Sequence, residues 1–461
     1  MVPSAPADVS PVAGLPARLL SLCPSLVAAR ALCVAFSGGL DSVVLLHLIV
    51  QLRNTGQLAM PLRALHIHHG LHAEADSWLA HCQRLCTEWR VPLVAHRVSV
   101  ALQSGDGLEA AARESRYAAF TAELQRGEVL VQAHHANDQA ETLLLRLMRG
   151  SGVDGLAAMP VARELGQGSL LRPLLAVTRA ELHEYAKAHS LAWVEDPSNA
   201  DTRFDRNYLR NTLMPVLQQR WPSAVQSLAR SAELTQEAAG LLAVLARQDL
   251  EGVSTDQPNR LPLAVLRPLD AARQRNALRY WLAQQPPELH GQSIAWHQLQ
   301  RCVTELVQPE HADHLWLEWG DGEQCLQLHR YRDQLYLLRP LPAAPATMQW
   351  QLSTPLELPG PLGCLYWQPV SADVALPQSL QLRFRSGGEQ MTKADGHHQS
   401  LKNHWQQRGI PPWLRHCVPL LYHGEELVAI GDEILSGSTL GKLVGNHRVL
   451  RWERSLLLCG W

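Results

Sequence analysis

At 461 residues the chain is too long for one ordinary core, and two to four domains are expected. A hydrophobic share of 46%, a charged share of 18% and a formal net charge of -2 describe a globular protein with no low-complexity tract, and they exclude a strongly basic nucleic-acid binder, so any RNA site must be a local patch. The nine scattered cysteines include no Cys-x-x-Cys, which argues against a disulfide framework or a zinc ribbon, and the lack of a leader pattern or a bilayer-length apolar run predicts a cytoplasmic protein without membrane contact.

Residues 31–36 form an apolar run of strand length, and residues 43–52 suit a buried helix. Between them lies Ser37-Gly38-Gly39-Leu40-Asp41-Ser42. A strand that breaks at two glycines and enters a helix leaves backbone N–H groups unpaired at the positive end of the helix dipole, a ready anion site. A side chain at Gly38 or Gly39 would hold a phosphate away from that backbone. The hydroxyls of Ser37 and Ser42 add donors, and Asp41 is placed to hold a magnesium ion that bridges phosphate oxygens. The competing reading, a tight turn with a helix N-cap, fits a lone Gly-Gly better than this six-residue string in strand–loop–helix context. Residues 437–442, Gly-Ser-Thr-Leu-Gly-Lys, have the wrong spacing for a Walker A loop.

Alternating strand and helix patterns continue to about residue 195. Strands are expected at residues 63–68, 91–98 and 128–133, and helices at 75–90, 108–124 and about 138–149. Such units imply a doubly wound, mainly parallel sheet, in which ligands bind beyond the carboxyl ends of the strands. Three polar stretches fall at those ends. One is the glycine string, the second is residues 66–72 with His66, His68, His69 and His72, and the third is His134-His135-Ala136-Asn137-Asp138. His68 is the nucleotide-binding candidate of the second stretch, ahead of a metal site. Asp138 is read either as a helix N-cap or as a group that shares the magnesium or acts near the transferred atoms. Arg113 and Arg116 share a helix face, and Arg113 is the candidate to offset charge on an α-phosphate. Arg203, Arg206 and Arg210 enter a helix after the Asp196-Pro197-Ser198-Asn199 turn, where they either grip RNA or nucleotide or pin a domain-joining helix.

The glycine string resembles the signature of the N-type ATP pyrophosphatases. Together with residues 66–70, 109–117, 134–142, 172–175 and 193–210, it makes the first 215 or so residues similar to the tRNA(Ile)-lysidine synthetase family. The family pattern often has Asp where this chain has Asn137. The resemblance implies an adenine nucleotide α-hydrolase-like fold, ATP and Mg2+ as cofactors, and catalytic roles for Asp41, Arg113, Asp138 and Arg206. It implies two steps on a tRNA(Ile) with a CAU anticodon. The C2 oxygen of the wobble cytidine takes AMP from ATP, and free L-lysine then displaces that AMP through its neutral ε-amine.

Residues 216–340 read as a mostly helical domain that ends in a β-hairpin, and the 339–345 stretch as a linker. Residues 347–461 read as a small α+β domain that resembles the tRNA-holding C-terminal domain of that family. Arg383, Arg385, Lys402, Arg408 and Arg415, interleaved with Trp405 and Trp413, make its expected tRNA surface. A homodimer is compatible with the chain, without being required. The rival readings are a tRNA thiolase with the same ATP loop, disfavoured by the missing Cys-x-x-Cys, and a nucleotide-sensing RNA-binding protein without catalysis.

Overall fold

Val43, Val44, Leu45, Leu46, Leu48 and Ile49 are at most 1% exposed, which makes their helix apolar on every side and forces it to the centre of its unit. Each such side chain contributes roughly 1.5–3 kcal/mol on leaving water. This placement belongs to the computed structural model, which describes residues 14–68, 70, 74–98, 108–254, 256–289, 294–308, 315–368, 377–393, 395–444 and 450–454. His69 and His72 of the histidine stretch lie outside the described residues. The chain forms two compact units, Met1–Leu241 and Leu242–Trp461.

In the first unit, strands β1 (Ala31–Ala35), β2 (Leu62–His68), β3 (Leu93–Arg97), β4 (Glu128–Val131), β5 (Ala162–Leu165) and β6 (Gly168–Leu171) make a six-stranded sheet in the order β3-β2-β1-β4-β6-β5. All neighbours are parallel except β5, an antiparallel edge strand. Helices α1 (Leu15–Leu22), α2 (Leu40–Asn54), α3 (Ala75–Glu88), α4 (Leu108–Glu123), α5 (Ala136–Met148), α6 (Val153–Leu156) and α7 (Arg179–Ala188) alternate with the strands. Strand alternation divides the core in two. Leu32 and Val34 face α1, α2 and α7, whereas Cys33 shares the other face with Phe120 of α4 and Leu124 just after it. After β1 the chain winds to β2 and β3, and after α4 it returns on the other side of β1 as β4. The carboxyl ends of β1 and β4 therefore form the switch point where a doubly wound sheet opens a crevice.

The opposite edge of the sheet is held by charge. Arg63 of β2 reaches across β1 to Glu128 of β4, with Nε and Nη2 at 2.7 and 2.6 Å from the two carboxylate oxygens. Glu128 also accepts the Gln125 amide at 3.1 Å. Removing one partner of a buried pair strands the other charge. Glu128→Ala is expected to destabilise this unit by about 3–5 kcal/mol, read as a lower urea midpoint at unchanged slope. A midpoint equal to that of the parent would mean that the strands need no such clamp.

In the second unit, β7 (Arg260–Pro262), β8 (Trp316–Trp319), β9 (Leu326–Tyr331) and β10 (Gln334–Leu338) form an antiparallel sheet in the order β7-β10-β9-β8. Helices Ala271–Ala283 and Trp296–Arg301 pack on it through Leu278, Trp281 and Leu299. The C-terminal part adds a five-stranded antiparallel sheet around Trp350, Leu382, Leu421 and Val428, with helix Leu401–Gln407 beside it. Tyr331, Tyr336 and Leu338 of the β9–β10 hairpin pack with Leu341 and Trp413, so a seam of side chains joins the two cores.

Candidate active site

Gly38 has φ +84°, and a Cβ there would lie 2.8 Å from Cys82 Sγ, so the fold itself demands glycine. Gly39 is different. Its φ is -76° and a Cβ would meet nothing closer than Ser37 Oγ at 3.6 Å. The protein leaves room at Gly39 that it does not use.

The glycine amides were expected to be open donors, and here the structure corrects the sequence reading. Gly38 N–H donates to Ser42 Oγ at 3.1 Å and Gly39 N–H to Ser37 Oγ at 3.3 Å, because both hydroxyls fold back over the loop. The Ser42 hydroxyl donates in turn to Gly39 O at 2.9 Å. Val43 makes the first bond of α2, to Gly39 O at 3.0 Å, so the amides of Leu40, Asp41 and Ser42 precede any intrahelical acceptor.

Asp41 opens α2 at the end of β1, and His135 opens α5 at the end of β4. Asp41 Oδ2 lies 3.5 Å from His135 Nε2, while Asp41 Oδ1 is buried without a hydrogen-bond partner among the described residues. His135, rather than Asp138, is the N-cap of α5. Its Nδ1 accepts the Asp138 amide at 3.3 Å and its Nε2 faces Asp41; burial would lower its pKa, but the Asp138 and Asp41 carboxylates outweigh burial and raise it. Asp138 closes the capping box by accepting the His135 amide at 3.0 Å through Oδ2.

Asp138 Oδ1 accepts from Arg206 Nη2 at 2.9 Å and from Arg210 Nη2 at 3.0 Å. Both arginines also bind Glu141, one turn further along α5, whose side chain is 1% exposed. They come from α8 (Asp205–Tyr208) and from a π-helical turn, Leu209–Leu213, that precedes α9 (Met214–Arg220). Burial would raise the Asp138 carboxyl, but His135 and Arg206 outweigh it and hold the group below the usual carboxylate range. A carboxylate so committed is a poor proton acceptor and has few lone pairs left for a metal, contrary to both roles expected of Asp138. Glu141 was missed in the sequence. Its signal was the complementary spacing of Asp138/Glu141, three apart, and Arg206/Arg210, four apart.

The other expected residues divide. Arg203 pairs with Asp201 at the surface. Asn137 Oδ1 accepts the Arg179 amide at 3.0 Å and so ties α5 to the start of α7. His68, 5% exposed, lies 3.2 Å from the Asp76 carboxylate at the start of α3. Arg113 stands over the Tyr117 ring, 5.4 Å from its centroid. His134 accepts from Arg172 Nε at 3.3 Å, and burial, chiefly, lowers its pKa to about 3, so it stays neutral.

Within the second unit, the expected RNA surface is thinner than its sequence suggested. Arg415 is 5% exposed and donates through Nε and Nη2 to Ile410 O, at 3.0 and 2.8 Å. It is a structural arginine, which corrects its assignment to tRNA. Trp405 is fully buried. Arg383 is held by Gln381 and Glu425 over the Tyr422 ring, and Arg408 pairs with Glu433 at 2.5 Å. Arg385 lies over Trp405 and Lys402 is exposed, which leaves these two as the more available cations of the set. The segment at 437–442 is no phosphate loop either, because Glu426 accepts the Thr439 amide at 3.0 Å.

Three family models match segments of the chain. Residues 15–217 match the PP-loop domain family, residues 261–336 the TilS substrate binding domain and residues 380–452 the TilS substrate C-terminal domain. The tRNA(Ile)-lysidine synthase of Xanthomonas axonopodis pv. citri (strain 306) is 43% identical over 427 residues, covering 91% of this chain and 93% of that protein. The enzyme of that name from Pseudomonas putida is 45% identical over 411 residues (87% and 91%). The one from Shigella flexneri is 42% identical over 448 residues (95% and 99%).

Proposed function

Because the chain belongs to the tRNA(Ile)-lysidine synthase family, we propose that it is a ligase that spends ATP to join lysine to the wobble cytidine of a tRNA(Ile) with a CAU anticodon. The observation that carries this reading is the meeting of the Ser37-to-Ser42 loop with Asp41 and His135 at the β1/β4 switch point. In the first step, the amides that open α2 bind the triphosphate, and the Ser37 and Ser42 hydroxyls turn from the glycine amides toward phosphate oxygens. The cytidine C2 oxygen bonds to the α-phosphorus and pyrophosphate leaves. In the second, the neutral lysine ε-amine bonds to C2 as the C2–O bond to AMP breaks. Asp138 and Glu141 act as positioning residues for Arg206 and Arg210.

The Asp41 Oδ1 atom, buried and without a hydrogen-bond partner among the described residues, fits magnesium, a hard cation that takes oxygen ligands. Magnesium bound there would supply charge neutralisation on the phosphates. Sulfur transfer gains no support, because burial pushes the thiols of Cys33 and Cys82 up to about 12, far from the thiolate that such chemistry needs. No helix of the described residues is long and apolar enough to cross a membrane, in keeping with a cytoplasmic site of action.

Mass analysis of bulk tRNA incubated with ATP and lysine, run beside a pyrophosphate assay, tests the proposal: the tRNA should gain the mass of a joined lysine, and sustained pyrophosphate release should require both lysine and tRNA. Turnover with a sulfur donor or glutamine, or nucleotide binding without turnover, would reject it. The spare room at Gly39 adds a sharper expectation. Gly39→Ala should fold with an unchanged melting temperature yet bind ATP at least about tenfold more weakly, since only a ligand claims that space. Unchanged ATP affinity would mean that phosphate does not approach Gly39.

A further inference from the structure

Three guanidiniums converge on Tyr117 of α4. Arg163 Cζ lies 5.0 Å from the ring centroid and Arg113 Cζ 5.4 Å, while Arg172 Nη2 donates to the phenol oxygen at 3.3 Å. The phenol donates onward to Gln132 Oε1 at 3.3 Å. Arg172 is 3% exposed and is fixed by Pro160 O and His134, whereas Arg113 and Arg163 are open to solvent. Among the described residues none of the three pairs with a carboxylate, although Arg63, Arg206, Arg210, Arg383 and Arg408 all do. Like charges gathered this closely repel one another and call for an anion.

Their place in the sheet says which anion. Gln132 directly follows β4 and Arg172 directly follows β6, so the cluster stands at the carboxyl edge on the β6 side. The glycine loop follows β1, two strands away across β4, roughly 10 Å at the usual strand spacing. A triphosphate seated behind Gly39 is held by α2, and a phosphate on Tyr117 belongs to a different part of the substrate. Arg163 sits on edge strand β5, which is exposed at Ala162, Arg163 and Glu164 and leaves open the approach that a long polymer needs.

We propose that Arg113 and Arg163, arrayed on the Tyr117 ring that the buried Arg172 holds in place, clamp a phosphodiester of the RNA strand beside the reacting base. The proposal rests on the tRNA-ligase reading above, and it moves Arg113 from the α-phosphate of ATP to the RNA. Guanidinium forks match phosphate oxygens two at a time, and the tyrosine ring spaces the forks.

The test uses the full chain and two variants of the exposed member, Arg163→Glu and Arg163→Lys. Binding of a tRNA transcript is followed against salt, and ATP binding is measured separately without RNA. Arg163→Glu should weaken tRNA binding about tenfold and lower the salt slope by about one, with ATP affinity unaltered, while Arg163→Lys should keep the slope. An unchanged slope in Arg163→Glu would overturn the clamp, and weaker ATP binding with intact tRNA binding would return the cluster to the nucleotide. Failure of the parent chain to bind tRNA at all would instead bring down the functional reading on which the clamp stands.

Discussion

Asp41→Asn should cut pyrophosphate release by about a thousandfold or more at saturating ATP, lysine and tRNA, a loss of about 4 kcal/mol of transition-state stabilisation. The substitution keeps the shape of the side chain and removes its charge. In the folded protein Asp41 Oδ1 is buried with no hydrogen-bond partner among the described residues, an arrangement that costs stability unless something else uses the oxygen. The remaining oxygen faces His135 Nε2 at 3.5 Å, a contact that asparagine retains in weakened form. The fold should therefore survive, and filter binding should find tRNA affinity nearly unchanged. Retained turnover together with lost tRNA binding would show that Asp41 serves the RNA and not the phosphates.

Glu141→Gln should be as damaging by another route. The carboxylate of Glu141 accepts Arg206 Nε at 2.9 Å, Arg210 Nε at 2.8 Å and Arg210 Nη2 at 2.9 Å, and its side chain is 1% exposed. An amide offers one acceptor oxygen and points N–H groups at a guanidinium, leaving two part-buried cations with Asp138 as their one shared carboxylate. Breaking a buried pair in this manner costs about 3–5 kcal/mol. The urea midpoint should fall, and turnover of the protein that remains folded should fall with it, because Asp138 and His135 belong to the same network. A variant of parental stability and activity would show that Asp138 suffices for both arginines.

What could be read from the sequence was what neighbouring residues decide among themselves. The strand–loop–helix passage through residues 37–42 and the buried helix after it follow from local glycine placement and an unbroken apolar run. The partnership of Glu141 with Arg206 and Arg210 spans 65 and 69 residues, and nothing local marks which of several arginines will reach a given carboxylate. Asp138 was expected one turn too early in its role, because histidine is an unusual cap and His135 takes the place that aspartate commonly fills. The β5–β6 hairpin went unseen because its strands are four residues each and Ala162-Arg163-Glu164 carries no apolar alternation. Arg415 looked like an RNA contact because it sits among other basic residues and tryptophans. Its guanidinium turns back onto the Ile410 carbonyl and lies beside Tyr331 of β9, a neighbour remote in sequence that no local pattern marks.

The aromatic seam of the second unit restricts how its C-terminal strands can travel. Trp413 lies edge-on to Tyr331 and Tyr336, with ring centroids at 5.9 and 5.6 Å, and 4.4 Å from the His329 ring. Arg332 adds a tie by donating to Gln406 O at 2.5 Å. To swing those strands alone would mean unstacking four rings into water, whereas carrying the β9–β10 hairpin along costs nothing at the seam. A long nucleic acid gripped at one end of this piece would thus feel the other end as the far arm of a single lever.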